Sequence, residues 1–152
     1  MVTDFLLDVF RAHAGEEAVV FRGRSSTFGE LLADIAGARA AQAAAGIAAG
    51  AVVALEADFT PAGIAHMLAL LGAGAIVAPL APASLARHDE FRRIAQAEFR
   101  LAVAPVDDAA AITRTGTARA EHPLYDTLRA SGRPGLLLFT SGSSGEPRAA
   151  LH

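Results

Sequence analysis

Apolar residues recur along this chain in two spacings, and their alternation predicts its architecture. Phe5, Leu6, Val9 and Phe10 fall at helical intervals behind a Thr/Asp start, which predicts a short amphipathic helix over 3–12 that ends near Gly15. The run 18–21, an Arg-Gly-Arg turn and 25–27 then predict a small β-hairpin. Thr27 and Glu30 have the spacing of a capping box, and Leu31, Leu32, Ile35, Ala38, Ala41 and Ala45 carry a buried helical stripe to Gly46. Ala at so many inward positions requires a close-packed neighbour. Short, unbroken apolar runs at 51–55, 75–78, 101–104 and 136–139 predict strands buried on both faces. Thr60-Pro61 opens a helix that continues through Met67 and Leu71 to Gly72, and 85–97 predicts a third amphipathic helix. In that helix Phe91, Ile94 and Ala95 point inward, with Arg87, Asp89, Glu90, Arg92 and Arg93 outward. Residues 105–134 show no clean period and read as a surface connection, with one or two helical turns over 122–129. Strands joined by helices define an α/β domain with a mostly parallel sheet, flanking helices and a small N-terminal β-hairpin.

Composition narrows the function classes. The chain has 152 residues, 53% of them hydrophobic and 6% aromatic, enough for one domain with an Ala/Leu/Val core. Its formal net charge is -3, and its 13 basic residues are all arginine, scattered along the sequence, so nucleic acid is not an expected partner. Without cysteine there is no disulfide framework, thiol nucleophile or zinc knuckle. The apolar stretch 62–83 is punctuated by His66, Gly72, Gly74, Pro79 and Pro82, which argues against a membrane span. The Met-Val-Thr-Asp start lacks signal-peptide character, and a cytoplasmic location is expected. The five histidines have no metal-ligand spacing, and no metal site is expected. His66, inside an apolar helix, reads as a satisfied core or interface residue, and His152 as a frayed terminal one. The adjacent acids Glu16-Glu17 and Asp107-Asp108 read as solvated charge.

The most informative stretch is 135–148, in which Leu136-Leu-Leu-Phe139 delivers a Gly/Ser/Thr-rich loop closed by a cation. Gly142 and Gly145 permit positive φ, so successive backbone N–H groups can turn inward around phosphate oxygens with no Cβ in the way. Thr140, Ser141, Ser143 and Ser144 add hydroxyl donors, Pro147 stiffens the exit, and Arg148 offers a planar fork of charge-assisted hydrogen bonds. Ser-Gly-Ser-Ser-Gly is also linker composition, but a linker has no reason to follow a buried strand or to run into Glu-Pro-Arg. Nor is this a Walker loop: Pro147-Arg148-Ala149 stands where Gly-Lys-Ser/Thr is required.

Residues 139–148, Phe-Thr-Ser-Gly-Ser-Ser-Gly-Glu-Pro-Arg, resemble the phosphate-binding signature of adenylate-forming enzymes: acyl-CoA synthetases, peptide-synthetase adenylation domains and luciferases. Two further motifs occur in the family's order, Ser26-Thr-Phe-Gly-Glu-Leu31 and Leu70-Leu-Gly-Ala-Gly-Ala-Ile-Val-Ala-Pro-Leu80. Capping and close helix–strand packing account for both. The family usually has Lys at the position of Arg148, Gly at that of Ala149 and often Asp at that of Ala81. Arg for Lys exchanges a compact ammonium for a broad fork, although a chain with no lysine at all makes this less a local choice.

The resemblance implies that residues 1–152 are the N-terminal part of an adenylation domain, ending just after the phosphate loop. Thr140, Ser141, Gly142, Ser143, Ser144, Gly145 and Arg148 would then bind nucleotide phosphate. It also implies ATP and Mg2+ as cofactors of the parent enzyme, a carboxylic acid substrate, and CoA or a phosphopantetheine carrier as acceptor. The family's adenine pocket, magnesium-binding Glu and catalytic Lys follow the phosphate loop, so no catalytic residue is assigned here and the chain alone is expected to be inactive. An uncovered sheet edge is expected to drive self-association. The rival reading is a self-contained, non-catalytic phosphate-binding or interaction module.

Overall fold

The computed structural model describes residues 3–141 and 147–152, with only the backbone of Ser141. Helix α1 (Asp4–Ala12) leads into hairpin β1 (Glu17–Phe21) and β2 (Arg24–Thr27), then α2 (Phe28–Ala44) and β3 (Val52–Glu56). Next come α3 (Pro61–Gly72), β4 (Ile76–Leu80), a 3-10 turn (Pro82–Arg87), α4 (His88–Ala95) and β5 (Phe99–Val103). Strand β6 (Ala110–Arg114), α5 (Pro123–Ser131), β7 (Gly135–Ser141) and β8 (Pro147–Leu151) complete the described elements.

Local chemistry fixes several boundaries as expected. Arg22 and Gly23 both have positive φ, 51° and 78°, the geometry of a tight hairpin turn between β1 and β2. The capping box closes, with Glu30 N donating to Thr27 Oγ1 at 3.2 Å and Thr27 N to Glu30 Oε2 at 2.7 Å. Thr60 Oγ1 accepts from Gly63 N at 3.0 Å, and Pro61 occupies the first helical turn of α3.

Six strands form one sheet in the order β6-β5-β3-β4-β7-β8. The inner strands β5, β3, β4 and β7 are parallel, whereas β6 and β8 join the two edges antiparallel. On one face, Val53, Leu55, Val77 and Leu101 pack with Leu70 and Met67 of α3. Behind α3, Leu31, Ile35 and Ala38 of α2 and Leu7 of α1 meet Ala65 and Ala69. On the other face, Val52, Ile76, Ala78 and Leu137 pack against Ala95 of α4 and Tyr125 of α5.

Four expectations need correction. The buried stripe of α2 runs Leu31, Ile35, Ala38, Gln42 and on to partly buried Ala45, with Ala41 exposed. Gln42 is tolerated inside because its Nε2 meets His66 Nδ1 and donates to His66 O, each at 3.1 Å. His66 is thereby the satisfied core residue expected. The helix predicted over 85–97 is divided into the 3-10 turn and α4, and Arg92 turns inward to an ion pair with Glu56. The connection 105–134 contains β6 and α5. Only Tyr125 of α5 is buried and β6 is mostly exposed, so neither leaves an apolar period. His152 is tied down, exchanging backbone hydrogen bonds with Leu136 at 2.9 and 2.8 Å.

Candidate functional site

Strands β4 and β7 pair only at Ile76↔Gly135 and Val77↔Leu136, and then separate. Their C-terminal halves form the two sides of a cleft of about 750 Å3. One wall is Leu138, Phe139 and Thr140. The other is the turn from Pro79 to Arg87, with Phe91 of α4. Phe91 stacks on Phe139 with ring centroids 4.3 Å apart and planes inclined by 18°, holding α4 against β7. A crevice at the carboxyl ends of parallel strands is where α/β sheets most often place a ligand.

Past the cleft, β7 and β8 form a hairpin in which Thr140 pairs with Arg148 and Ser141 with Pro147. Thr140 and Arg148 are both exposed, and cross-strand partners share a face. Of the seven loop residues singled out from sequence, Thr140, Ser141 and Arg148 therefore stand at the two ends of a hairpin tip. Gly142, Ser143, Ser144 and Gly145 lie outside the described residues. The turn from Ala81 to Ser84, Phe91 and the Phe139 ring were not anticipated as cleft walls. The Pro79 and Pro82 punctuation was the available signal.

Beneath the Pro79–Arg87 wall is a buried charge cluster that sequence reading missed. Glu56 ends β3 at 8% exposure. It accepts from Arg100 Nε at 3.0 Å and Nη2 at 2.8 Å, and from Arg92. Burial pushes the Glu56 carboxyl up, but the Arg100 hydrogen bond and the charges of Arg92 and Arg100 outweigh it, leaving the group below its ordinary 4.5. Buried His88 places Nε2 3.0 Å from Ala81 O and 3.1 Å from Ser84 Oγ, while Nδ1 lies 3.6 Å from Glu56 Oε2. The wall is thereby braced through His88 against the end of β3. A lone acid closing the apolar run Val52–Leu55 was the sequence signal.

A second cavity, of about 400 Å3, lies between α3 and the ends of β3 and β4, where Ile64, Met67, Leu68 and Leu71 give it an apolar lining. Exposed Phe59 stands at its rim. Among the described residues no three His, Cys, Asp or Glu side chains converge into a metal site. Among the same residues no helix is long and apolar enough to cross a membrane.

This architecture is the fold of the N-terminal domains of adenylate-forming enzymes. The N-terminal subdomain of NpsA from Klebsiella oxytoca, in complex with 3-hydroxybenzoyl-AMSN, aligns with a TM-score of 0.69 at 22% identity, over 97% of this chain and 39% of its own. VinN aligns with a TM-score of 0.69 at 20% identity, over 99% and 45%. The inhibitor-bound N-terminal domain of FACL13 from Mycobacterium tuberculosis gives 0.67 at 17%, over 97% and 43%. The chain thus spans less than half the length of these solved chains. No family model matches it, and no curated protein matches it.

Proposed function

We propose that this chain is the N-terminal portion of an ATP-dependent carboxylate-activating ligase, and that its β7–β8 hairpin is the phosphate-binding element of that enzyme. The observation that supports the reading is that Thr140 lines the β4/β7 cleft and pairs across the β7–β8 ladder with Arg148, in a fold shared with such enzymes over nearly the whole chain. Acyl-AMSN ligands bound by NpsA and 3-methylaspartate bound by VinN support a carboxylic acid or its acyl derivative as the substrate class.

In that reaction a carboxylate oxygen attacks the α-phosphorus of ATP, giving an acyl-AMP and releasing pyrophosphate; a thiol of CoA or of a phosphopantetheine carrier then takes the acyl group. The contribution of these residues is electrostatic. The hydroxyls of Thr140, Ser141, Ser143 and Ser144, the amides around Gly142 and Gly145 and the Arg148 guanidinium donate to phosphate oxygens. Phe139 and Leu138 keep one side of the cleft apolar. Magnesium would be held by phosphate oxygens and by groups beyond the described residues. Acyl transfer needs transition-state charge held by several preorganised groups, and one hairpin does not supply them. Residues 1–152 alone are therefore inactive under this proposal.

Pyrophosphate–ATP exchange tests it. The purified chain should give the same signal as buffer with any carboxylic acid, and pyrophosphate should still perturb the amides of 140–148 in an NMR titration. Exchange above the blank would overturn the fragment reading. Loss of the amide perturbation would overturn the phosphate-binding role.

A further inference from the structure

The end of the sheet opposite the β4/β7 cleft carries a third cavity, polar and of about 240 Å3. It is walled by the loop 46–51 before β3, by Glu98 and Phe99 at the start of β5, and by Arg114, Arg119 and Arg129. Three arginines and one glutamate leave a local excess of positive charge on a chain whose net charge is -3. The arginines lie within residues 114–129 and reach the loop before β3 because β6 returns antiparallel beside β5, placing Arg114 opposite Phe99.

The donors and acceptors of this cavity are unequally satisfied. Arg129 is consumed internally: Nε donates to Gly50 O at 3.0 Å, Nη1 to Ala120 O at 2.8 Å and Nη2 to Glu98 Oε1 at 3.2 Å. Glu98 Oε1 also accepts from Val52 N and Ala120 N. Its charge is therefore matched within the floor. Arg114 is held in place by the Phe99 ring, 4.6 Å below its guanidinium carbon, and among the described residues it meets no carboxylate. Arg119 is exposed and has no hydrogen-bond or ion-pair partner among them. The amides of Ala48 and Ala49, in the loop between Gly46 (φ 78°) and Gly50 (φ 75°), donate to no protein acceptor among them. One guanidinium held by a ring, a second without a protein partner among the described residues and two unpaired amides line one small polar hollow, a donor set suited to a tetrahedral dianion.

We infer that this hollow is an anion site for phosphate, either inorganic or as the terminal group of a phosphate monoester, separate from the β7–β8 hairpin. The inference rests on the Arg114, Arg119 and 46–51 geometry and not on the ligase reading. Glycine is favoured at 46 by its φ of 78°, and a Cβ there would lie 3.4 Å from Arg114 Nη2, an ordinary contact.

The test is an NMR titration of the nitrogen-15-labelled chain with inorganic phosphate, against sodium chloride at equal ionic strength. Phosphate should shift the amides of Gly46, Ala48, Ala49 and Gly50, and chloride should not. Arg119→Gln changes an exposed side chain, and should weaken the response about tenfold, the scale of one charge-assisted hydrogen bond. Arg114→Gln with Arg119→Gln should abolish it, while Arg148→Ala leaves it intact. Equal shifts in chloride, an undiminished response in a folded double variant, or shifts confined to 140–148 would each overturn the site. A phosphate monoester that shifts the same amides more strongly than the inorganic ion identifies the monoester as the fitting form. A weaker response identifies the free ion.

Discussion

Thr140 and Arg148 face each other across the β7–β8 hairpin, one residue outside the Ser141↔Pro147 pair that closes the described ladder. Their side chains share a face and both are exposed, so a guanidinium and a hydroxyl flank the tip where phosphate is proposed to sit. Arg148→Ala should weaken pyrophosphate binding by roughly 1.5–3 kcal/mol, the range for a hydrogen bond to a charged group, and Thr140→Val by about 1 kcal/mol. Calorimetric titration checks both. An Arg148→Ala chain that binds pyrophosphate as tightly as the wild type removes that residue from the site.

Glu56 is buried and accepts from two arginines, so Glu56→Gln removes the counter-charge of the half-exposed Arg100 and leaves Arg92 paired with Asp89 alone. The expected loss is about 1–3 kcal/mol, less than the cost of breaking a fully buried pair because Arg100 is partly hydrated and Arg92 retains Asp89. Its pH dependence has a definite sign. The folded-state pKa lies below the ordinary 4.5, so the folded chain binds fewer protons, and the contribution is complete above that value. It disappears as pH falls through the lowered folded pKa. Urea unfolding of wild type and variant, near neutrality and again near pH 3.5, should show the gap narrowing in acid.

Burial holds the His66 imidazole below its ordinary 6.5. The folded chain therefore resists protonation that the unfolded chain accepts, and stability should fall as pH drops from about 6.5 toward the lowered value. His66→Gln cannot titrate. Its stability should change less than that of the wild type between about pH 7.5 and pH 5.5, and an identical pH slope for the two proteins would contradict the buried neutral imidazole.

A Cβ on Gly63 would lie 2.2 Å from the backbone oxygen of Asp58. Gly63→Ala must push the 57–60 turn away from the start of α3, disturbing the Thr60 cap and the rim of the apolar cavity together. Despite alanine's better helix propensity, thermal unfolding should show a lowered midpoint. A raised midpoint would mean that the turn yields freely.

Uncovered apolar surface predicts association. Phe59 is 74% exposed and Leu138 40%. Strands β6 and β8 are both sheet edges. Such edges and patches are normally hidden by pairing or by a partner. Sedimentation at micromolar concentration should find dimers or larger species. A stable monomer that binds no dye specific for exposed apolar surface would favour the self-contained module.

The sequence by itself determined the elements whose signals are local. Thr27 with Glu30, Thr60 with Pro61 and the runs at 51–55 and 75–78 set caps and buried strands through nearest-neighbour chemistry, and with the strand at 136–139, buried fully only at Leu137, they sufficed for the α/β class. Local signals also carry the expectation of a phosphate-binding loop after 136–139, because glycines and hydroxyls between a strand and a cation fall within ten residues. Tertiary structure decided what depends on distant partners. Gln42 is interior only because His66 lies across the α2–α3 interface, and Arg92 turns in only because Glu56 ends the neighbouring strand. Strands β6 and β8 exist because the sheet offers them edges, their own residues being too exposed to leave an apolar period. The β4/β7 cleft arises where two strands that start as neighbours separate. The 114/119/129 arginine cluster requires β6 to turn back beside β5. No spacing along the chain encodes either event, because each is a relation between elements whose positions are set by the core they share.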